Sequence, residues 1–343
     1  MRPTTFIVLL AVTAVSVLGA GYAVIHESRI QAPVAAGGAP VFGGLLAHAN
    51  DLQSATIASA SGKFTIVRKG DGWVLAEKDG YPVLADKLRQ AVAGLADLRL
   101  LEAKTDQPDR YARLEVEDIT AKDAKSKQVT LVGADGKPLA DLIVGKQNYT
   151  TDLNGLHGLY VRKPGNAQAW LAQGFVELPT SAVDWVDRTV VDIPADKIQR
   201  LQFEPTAAPA VTVSKADKAA TDFTLAPLPE GKSADPDALK RLTEAFTAID
   251  LDDVRADKNT DKAVKAGTAE ATTFDGLTLK VELLAMDGGT WMRVTASAAP
   301  GSAAVDEAKT ISDRVSGWLF ELPQFKAGLL QPRIDDFLKK PEG

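Results

Sequence analysis

The sequence predicts an α+β protein: two tandem duplicated units behind an N-terminal transmembrane helix, each a mainly antiparallel sheet packed by one longer helix and short helices. Three observations carry this reading. The first is a phrase used twice, ELPTSAVDWVDRTVVDI at Glu177–Ile193 and ELPQFKAGLLQPRIDDF at Glu321–Phe337, which align without a gap. Glu177, Leu178 and Pro179 fall on Glu321, Leu322 and Pro323, and Asp192 falls on Asp336. Apolar falls on apolar at Trp185/Leu329, Val186/Leu330, Val190/Ile334 and Ile193/Phe337. The second is that short alternating runs and Asp-Gly turns outnumber helical stripes, which argues for hairpins over parallel β-α-β winding. The third is Phe6–Ile25, 20 residues without a charge, a run that spans about 30 Å as a helix, one bilayer crossing.

In chain order, residues 1–25 are expected to be the anchor. Arg2 and the start amine precede the span and Glu27 follows it, so the positive-inside rule makes this a single-pass inner-membrane protein with its body in the periplasm. The alternative is a cleaved signal peptide with Gly21 and Ala23 at the processing site and a body secreted to the periplasm. The apolar run continues past that site, which favours the anchor. Residues 26–50 form a linker, rich in Gly, Ala and Pro at Gln31–Gly44, that leads into the body.

Unit one, residues 51–193, opens with a meander at Leu52–Ile57, Phe64–Val67 and Trp73–Leu75. A helix follows, with Leu84, Leu88, Val92, Leu95 and Leu98 on one stripe. A strand pair then turns at Asp135-Gly136, and Gly158–Arg162 adds an edge strand. Unit two, residues 194–343, repeats the plan. Its strands are Ile198–Phe203, Val211–Val213 and Phe223–Leu225; its helix has Asp235 as N-cap, Pro236 at the first turn, and Leu239, Leu242, Phe246 and Ile249 inward. The strand pair around Asp287-Gly288 and the edge strand Trp318–Glu321 complete it, and RIDDFLKK reads as an amphipathic terminal helix with Ile334, Phe337 and Leu338 inward. In both copies of the repeated phrase, the Pro ends a strand and the apolar stretch after it folds back as a clasp on the sheet.

The 39 Lys and Arg against 45 Asp and Glu leave a net charge of −6, so no basic field exists to draw a nucleic acid. Absence of Cys removes disulfides, thiolate nucleophiles and Cys-built zinc sites. His26, His48 and His157 form no ligand pair and no Ser-His-Asp arrangement. Asp257, Asn259 and Asp261 match the first ligand slots of a calcium loop, but Lys262 and Thr268 stand where Gly and the bidentate Glu are required, so a solvated acidic loop is expected. Asp335 and Asp336, being adjacent, do not face one another as an acid–base dyad. Asn148-Tyr149-Thr150 is a lone glycosylation triplet. Neither phosphate-loop nor dinucleotide fingerprint is present. No catalytic, cofactor-binding or metal-binding residue is assigned, and Trp73, Trp170, Trp185, Trp291 and Trp318 are expected in cores.

The lead-in VFGGLLAHANDLQSATI at Val41–Ile57, GDGWVL at Gly70–Leu75, YPVLADKLRQAVAGLADL at Tyr81–Leu98 and DWVDRTVVDI at Asp184–Ile193 running into IQRLQF resemble, in their order, the single-span envelope proteins that carry domain of unknown function 4340. The resemblance implies a place beside a transporter of the ATP-binding cassette (ABC) type and its auxiliary subunit, and supplies no catalytic residue. The expected function is a non-catalytic, membrane-anchored periplasmic interaction module accessory to such a transporter. The alternative is a periplasmic ligand- or glycan-binding protein using a groove between the two repeats. A hydrolase is disfavoured for want of a site.

Overall fold

The computed structural model describes residues 38–149 and 158–339. Phe6–Ile25, His26, the linker as far as residue 37, Thr150 and His157 lie outside the described residues. The chain divides into two compact units, Met1–Glu77 with Pro82–Trp185, and Lys78–Tyr81 with Val186–Gly343. The fold is α+β, with mostly antiparallel sheets and few helices.

The nine-stranded sheet is made of β1 (Leu52–Ser59), β2 (Gly62–Lys69), β3 (Gly72–Leu75), β4 (Tyr81–Pro82), β5 (Arg99–Thr105), β6 (Lys127–Gly133), β7 (Pro138–Asn148), β8 (Gly158–Arg162) and β9 (Ala169–Gln173), in the order β4-β3-β2-β1-β6-β7-β8-β9-β5. Its inward rows follow from the two-residue period: Ala55 lies opposite Ile66 and Leu131, and Ile57 opposite Phe64 and Val129, all buried. Helix α1 (Ala85–Asp97) buries Leu88, Ala91, Val92 and Leu95, with Leu84 as its exposed N-cap. At Gly94 the helix runs so close to the next segment that a Cβ would stand 2.6 Å from the Phe175 carbonyl oxygen. Helix α2 (Tyr111–Leu114) is a single turn; Tyr111 stacks under the Arg162 guanidinium at 4.5 Å, and the Arg162 Nε–H donates to the Val116 carbonyl at 2.8 Å.

The second unit holds β10 (Thr189–Val191) paired with β14 (Ile249–Asp250), and an eight-stranded sheet. The sheet's strands are β11 (Ile198–Pro205), β12 (Val211–Ser214), β13 (Thr224–Ala226), β15 (Asp253–Ala256), β16 (Val264–Thr273), β17 (Leu277–Met286), β18 (Gly289–Ala298) and β19 (Trp318–Glu321), ordered β13-β12-β11-β16-β17-β18-β19-β15. A buried row crosses it through Phe203, Ala269, Val281 and Val294. Helix α3 (Pro236–Arg241) starts as expected, with Asp235 Oδ1 accepting from the Asp237 and Ala238 N–H groups at 3.0 and 3.2 Å. It tightens into a 3₁₀ turn, Leu242–Ala245, yet the stripe Leu239, Leu242, Phe246 and Ile249 is buried throughout. Helix α4 (Val305–Val315) lies along β18, and α5 (Gln324–Leu329) follows β19.

Without the two-residue β4, the two sheets have one strand order: β1, β2, β3, β5, β6, β7, β8 and β9 stand where β11, β12, β13, β15, β16, β17, β18 and β19 stand. Several expectations change on this map. The stretch after the acidic segment contains β16, a strand of Ala, Thr and Gly whose small side chains give little apolar alternation. Its presence moves the correspondence: the Asp135-Gly136 turn matches Asp275-Gly276, and Asp287-Gly288 joins the next strand pair. Gly158–Arg162 and Trp318–Glu321 are interior strands, flanked by β7 and β9 and by β18 and β15. The terminal RIDDFLKK segment is a 3₁₀ turn, Ile334–Phe337, with Phe337 buried and Ile334 and Leu338 half-buried. Arg333 and Asp336 close it, the Arg333 N–H donating to Asp336 Oδ2 at 2.9 Å.

Glu321, the acid of the second ELP, ends β19 half-buried against Gly289. Burial first, then Asp253 and Asp252, push its carboxyl above the usual range, while Lys78 pulls it down. The folded state therefore binds the proton more tightly than the unfolded chain, and stability falls as pH rises from the ordinary glutamate value of 4.5 through the raised one. Glu321→Gln is expected to raise the Tm at pH 8 relative to wild type, with the difference closing below pH 4.5. Melts across that range check it; a variant less stable at pH 8 would contradict the sign.

Candidate functional site

Two concavities flank α1 on the first unit. The first is a groove of about 390 Å³ between the 3₁₀ turn Leu45–Asp51, the β2–β3 hairpin and α1. Gly44 adopts φ 85°, which turns the incoming chain so that Leu45 is buried and Leu46 is left 58% exposed on the groove side. The hairpin register sets Arg68 opposite Trp73, and the guanidinium lies 5.4 Å from the indole centroid while donating to the Asn50 carbonyl at 3.0 Å. From α1 come Ala85, Leu88, Arg89, Val92 and Ala93, the residues that helical spacing puts on one side. The floor is apolar, with Leu52 and Leu88 buried. Arg89 pairs with Asp86, whereas Arg68 makes no ion pair among the described residues.

The second concavity lies on the other side of α1, where Lys87, Gln90 and Ala91 face Phe175, Glu177, Pro179 and Trp185 around about 200 Å³. It opens into a polar cleft of about 460 Å³ that adds Lys127, Gln147 and Asp184. The lysines are held: Lys87 Nζ donates to the Asp184 carbonyl at 2.5 Å and Lys127 Nζ to the Leu178 carbonyl at 3.1 Å. Phe175 stands 47% exposed over this recess. Its floor is the first copy of the repeated phrase, with Leu178 and Trp185 buried and the indole N–H donating to the Pro179 carbonyl at 3.1 Å.

The polar residues singled out in the sequence are spread apart. His48 is exposed and 3.0 Å from Asp51. Asp257 is clamped by Arg293, whose Nε and Nη2 lie 2.5 and 2.8 Å from its two oxygens, and the guanidinium holds that carboxyl below the usual range. The same Arg293, with Lys265, Lys280 and Glu282, lines a 230 Å³ recess on the outer face of the second sheet. Asp335 is an exposed neighbour of the capping Asp336. Among the described residues no group of three or more His, Cys, Asp or Glu is placed to hold a metal. Of the tryptophans, Trp185 and Trp291 are buried; Trp73, Trp170 and Trp318 are only half-buried, Trp73 because it lines the groove. Sequence reasoning missed Arg68, although the tight GDG turn fixes its register opposite Trp73.

A family model described as a domain of unknown function (DUF4340) matches residues 73–270, more than half of the chain. The chain belongs to the DUF4340 family. A search of the curated proteins finds no match. The DUF4340 match takes in Trp73, α1, Phe175 and the first copy of the phrase, whereas Leu46 and Arg68 precede it. No helix among the described residues is long and apolar enough to cross a membrane.

Proposed function

We propose that this DUF4340 chain is a non-catalytic, membrane-anchored interaction module of the periplasm, accessory to an ABC-type envelope transporter and built by tandem duplication of one α+β unit. The duplication is supported by the shared strand order and by the phrase, which starts four residues after β9 in one unit and on the last residue of β19 in the other. The anchor is supported by the uncharged run Phe6–Ile25, and the transporter by family resemblance. The observation that carries partner binding is the Phe175 recess. An exposed aromatic beside a proline, over a buried tryptophan and ringed by charged and amide groups, has the make-up of an interface hot spot with a polar rim.

The test is co-purification of the full chain from envelope membranes in mild detergent. Wild type is expected to carry transporter subunits, and Phe175→Asp to lose them by about tenfold or more, the scale of a hot-spot residue, with an unchanged melting temperature. A wild type that brings down no integral membrane protein, or a Phe175→Asp variant with an unaltered partner set, sinks the reading.

A further inference from the structure

We infer that the groove between the Leu45–Asp51 turn and α1 binds an anionic phospholipid, one acyl chain along the apolar floor and the headgroup phosphate on Arg68. The inference rests on the membrane-anchored reading above. Three features point to this ligand. The floor and the Arg68 guanidinium together match an amphiphile: Leu46, Trp73 and Leu88 offer apolar surface, and Arg68 offers donors that no carboxylate of the described residues engages, Asp71 lining the groove without pairing with it. Stacking on Trp73 and the bond to the Asn50 carbonyl hold that cation at the groove wall.

Size is the second feature: the groove's volume of about 390 Å³ leaves room for an extended hydrocarbon chain. Position supplies the third feature. Leu46 lies on the first helical turn after the spacer, 21 residues beyond Ile25. Chain length alone keeps it within about 75 Å of the end of an anchored span, so the bilayer surface is the nearest abundant source of amphiphile.

The test uses the full chain in phosphatidylcholine nanodiscs doped with either phosphatidylglycerol or phosphatidylcholine carrying a photoreactive diazirine in the acyl chain, with labelled peptides mapped by mass spectrometry. The phosphatidylglycerol probe is expected to label both residues 6–25 and the peptides holding Leu46 and Leu88. The phosphatidylcholine probe should label residues 6–25 equally and the groove about tenfold less, because its choline cation cancels the net charge of the phosphate and sets a second cation against Arg68. Arg68→Glu should lower groove labelling by phosphatidylglycerol to that same level. Leu46→Asp, at a 58% exposed position, is a second probe should the first variant fold poorly. Label confined to residues 6–25, or equal groove labelling by the two lipids, overturns the lipid site and leaves the anchor standing. Absence of label from residues 6–25 overturns the anchor and the inference with it.

Discussion

Replacing Trp185 with alanine is expected to destabilise the first unit by about 3–5 kcal/mol, the range for deleting a buried aromatic whose site refills only in part. The side chain is 1% exposed, its ring centroid is 6.3 Å from that of Phe64 on β2, and its indole N–H is spent on the Pro179 carbonyl. Two losses therefore combine: on the order of 200 Å² of apolar surface, and the indole donor to the Pro179 carbonyl of the ELP. Trp185→Phe separates them. It keeps most of the burial and leaves the Pro179 carbonyl bare, so a cost of about 1–3 kcal/mol is expected. The backbone bond from the Leu84 N–H to the Trp185 carbonyl, 2.8 Å, survives both changes. Urea unfolding followed by circular dichroism measures the two steps. An unchanged midpoint for Trp185→Ala would mean that the phrase does not clasp the first sheet.

Much of the fold was legible because its strongest signals are local. The meanders at Leu52–Leu75 and Ile198–Leu225 alternate and are punctuated, the first by Gly and the second by Pro205, Pro209 and Asp217, so register and burial follow from period alone. The Asp235-Pro236 start is written in two residues. What escaped lacks such contrast. The strand Val264–Thr273 buries Gly267, Thr268, Ala269, Ala271 and Thr273, residues too small or too polar to stand out. At Gly267 a Cβ would come within 3.0 Å of the Glu204 carbonyl oxygen and Pro205 Cα, so the close approach of β11 and β16 demands the weak signal that hid the strand. The strands Arg99–Thr105 and Asp253–Ala256 take the far edge of each sheet, a placement set by long-range pairing with β9 and β19 that no window of sequence reports.

The candidate sites divide in the same way. The recess under Phe175 grows out of the repeated phrase, and its buried Leu178 and Trp185 were among the most visible residues in the chain. The two copies nonetheless differ where chemistry could matter. Glu177 is exposed beside the recess, while Glu321 is half-buried among carboxylates. At the position after the ELP, the first copy forms the short 3₁₀ turn Ala182–Trp185, and the second forms α5, whose buried Lys326 donates to the Glu244 and Thr247 carbonyls. Burial depresses the Lys326 ammonium, with Glu244, Asp250 and Asp192 opposing the shift. One phrase thus closes two sheets with different partners, which a gapless alignment conceals.

The corresponding test in the second unit is Phe246→Ala, also expected to cost about 3–5 kcal/mol. Phe246 is wholly buried, with its ring centroid 6.5 Å from that of Phe203 on β11. It is the third member of the stripe Leu239, Leu242, Phe246 and Ile249, so its removal opens the helix–sheet contact at its centre. The backbone around it is independently tied to the end of the first phrase. The Ile193 N–H donates to the Phe246 carbonyl at 3.0 Å, the Thr247 hydroxyl to the Ile193 carbonyl at 3.0 Å, and the Ala248 N–H to Asp192 Oδ1 at 2.9 Å. Those bonds do not use the side chain, so the variant should keep the turn and lose the packing. Hydrogen exchange distinguishes the two: amides of Ile198–Pro205 and Pro236–Arg241 are expected to lose protection, while Ile193 and Ala248 keep most of theirs. Retained protection across the sheet strands would show that the stripe is dispensable, and that these polar ties to Asp192 and Ile193 hold the helical segment in place.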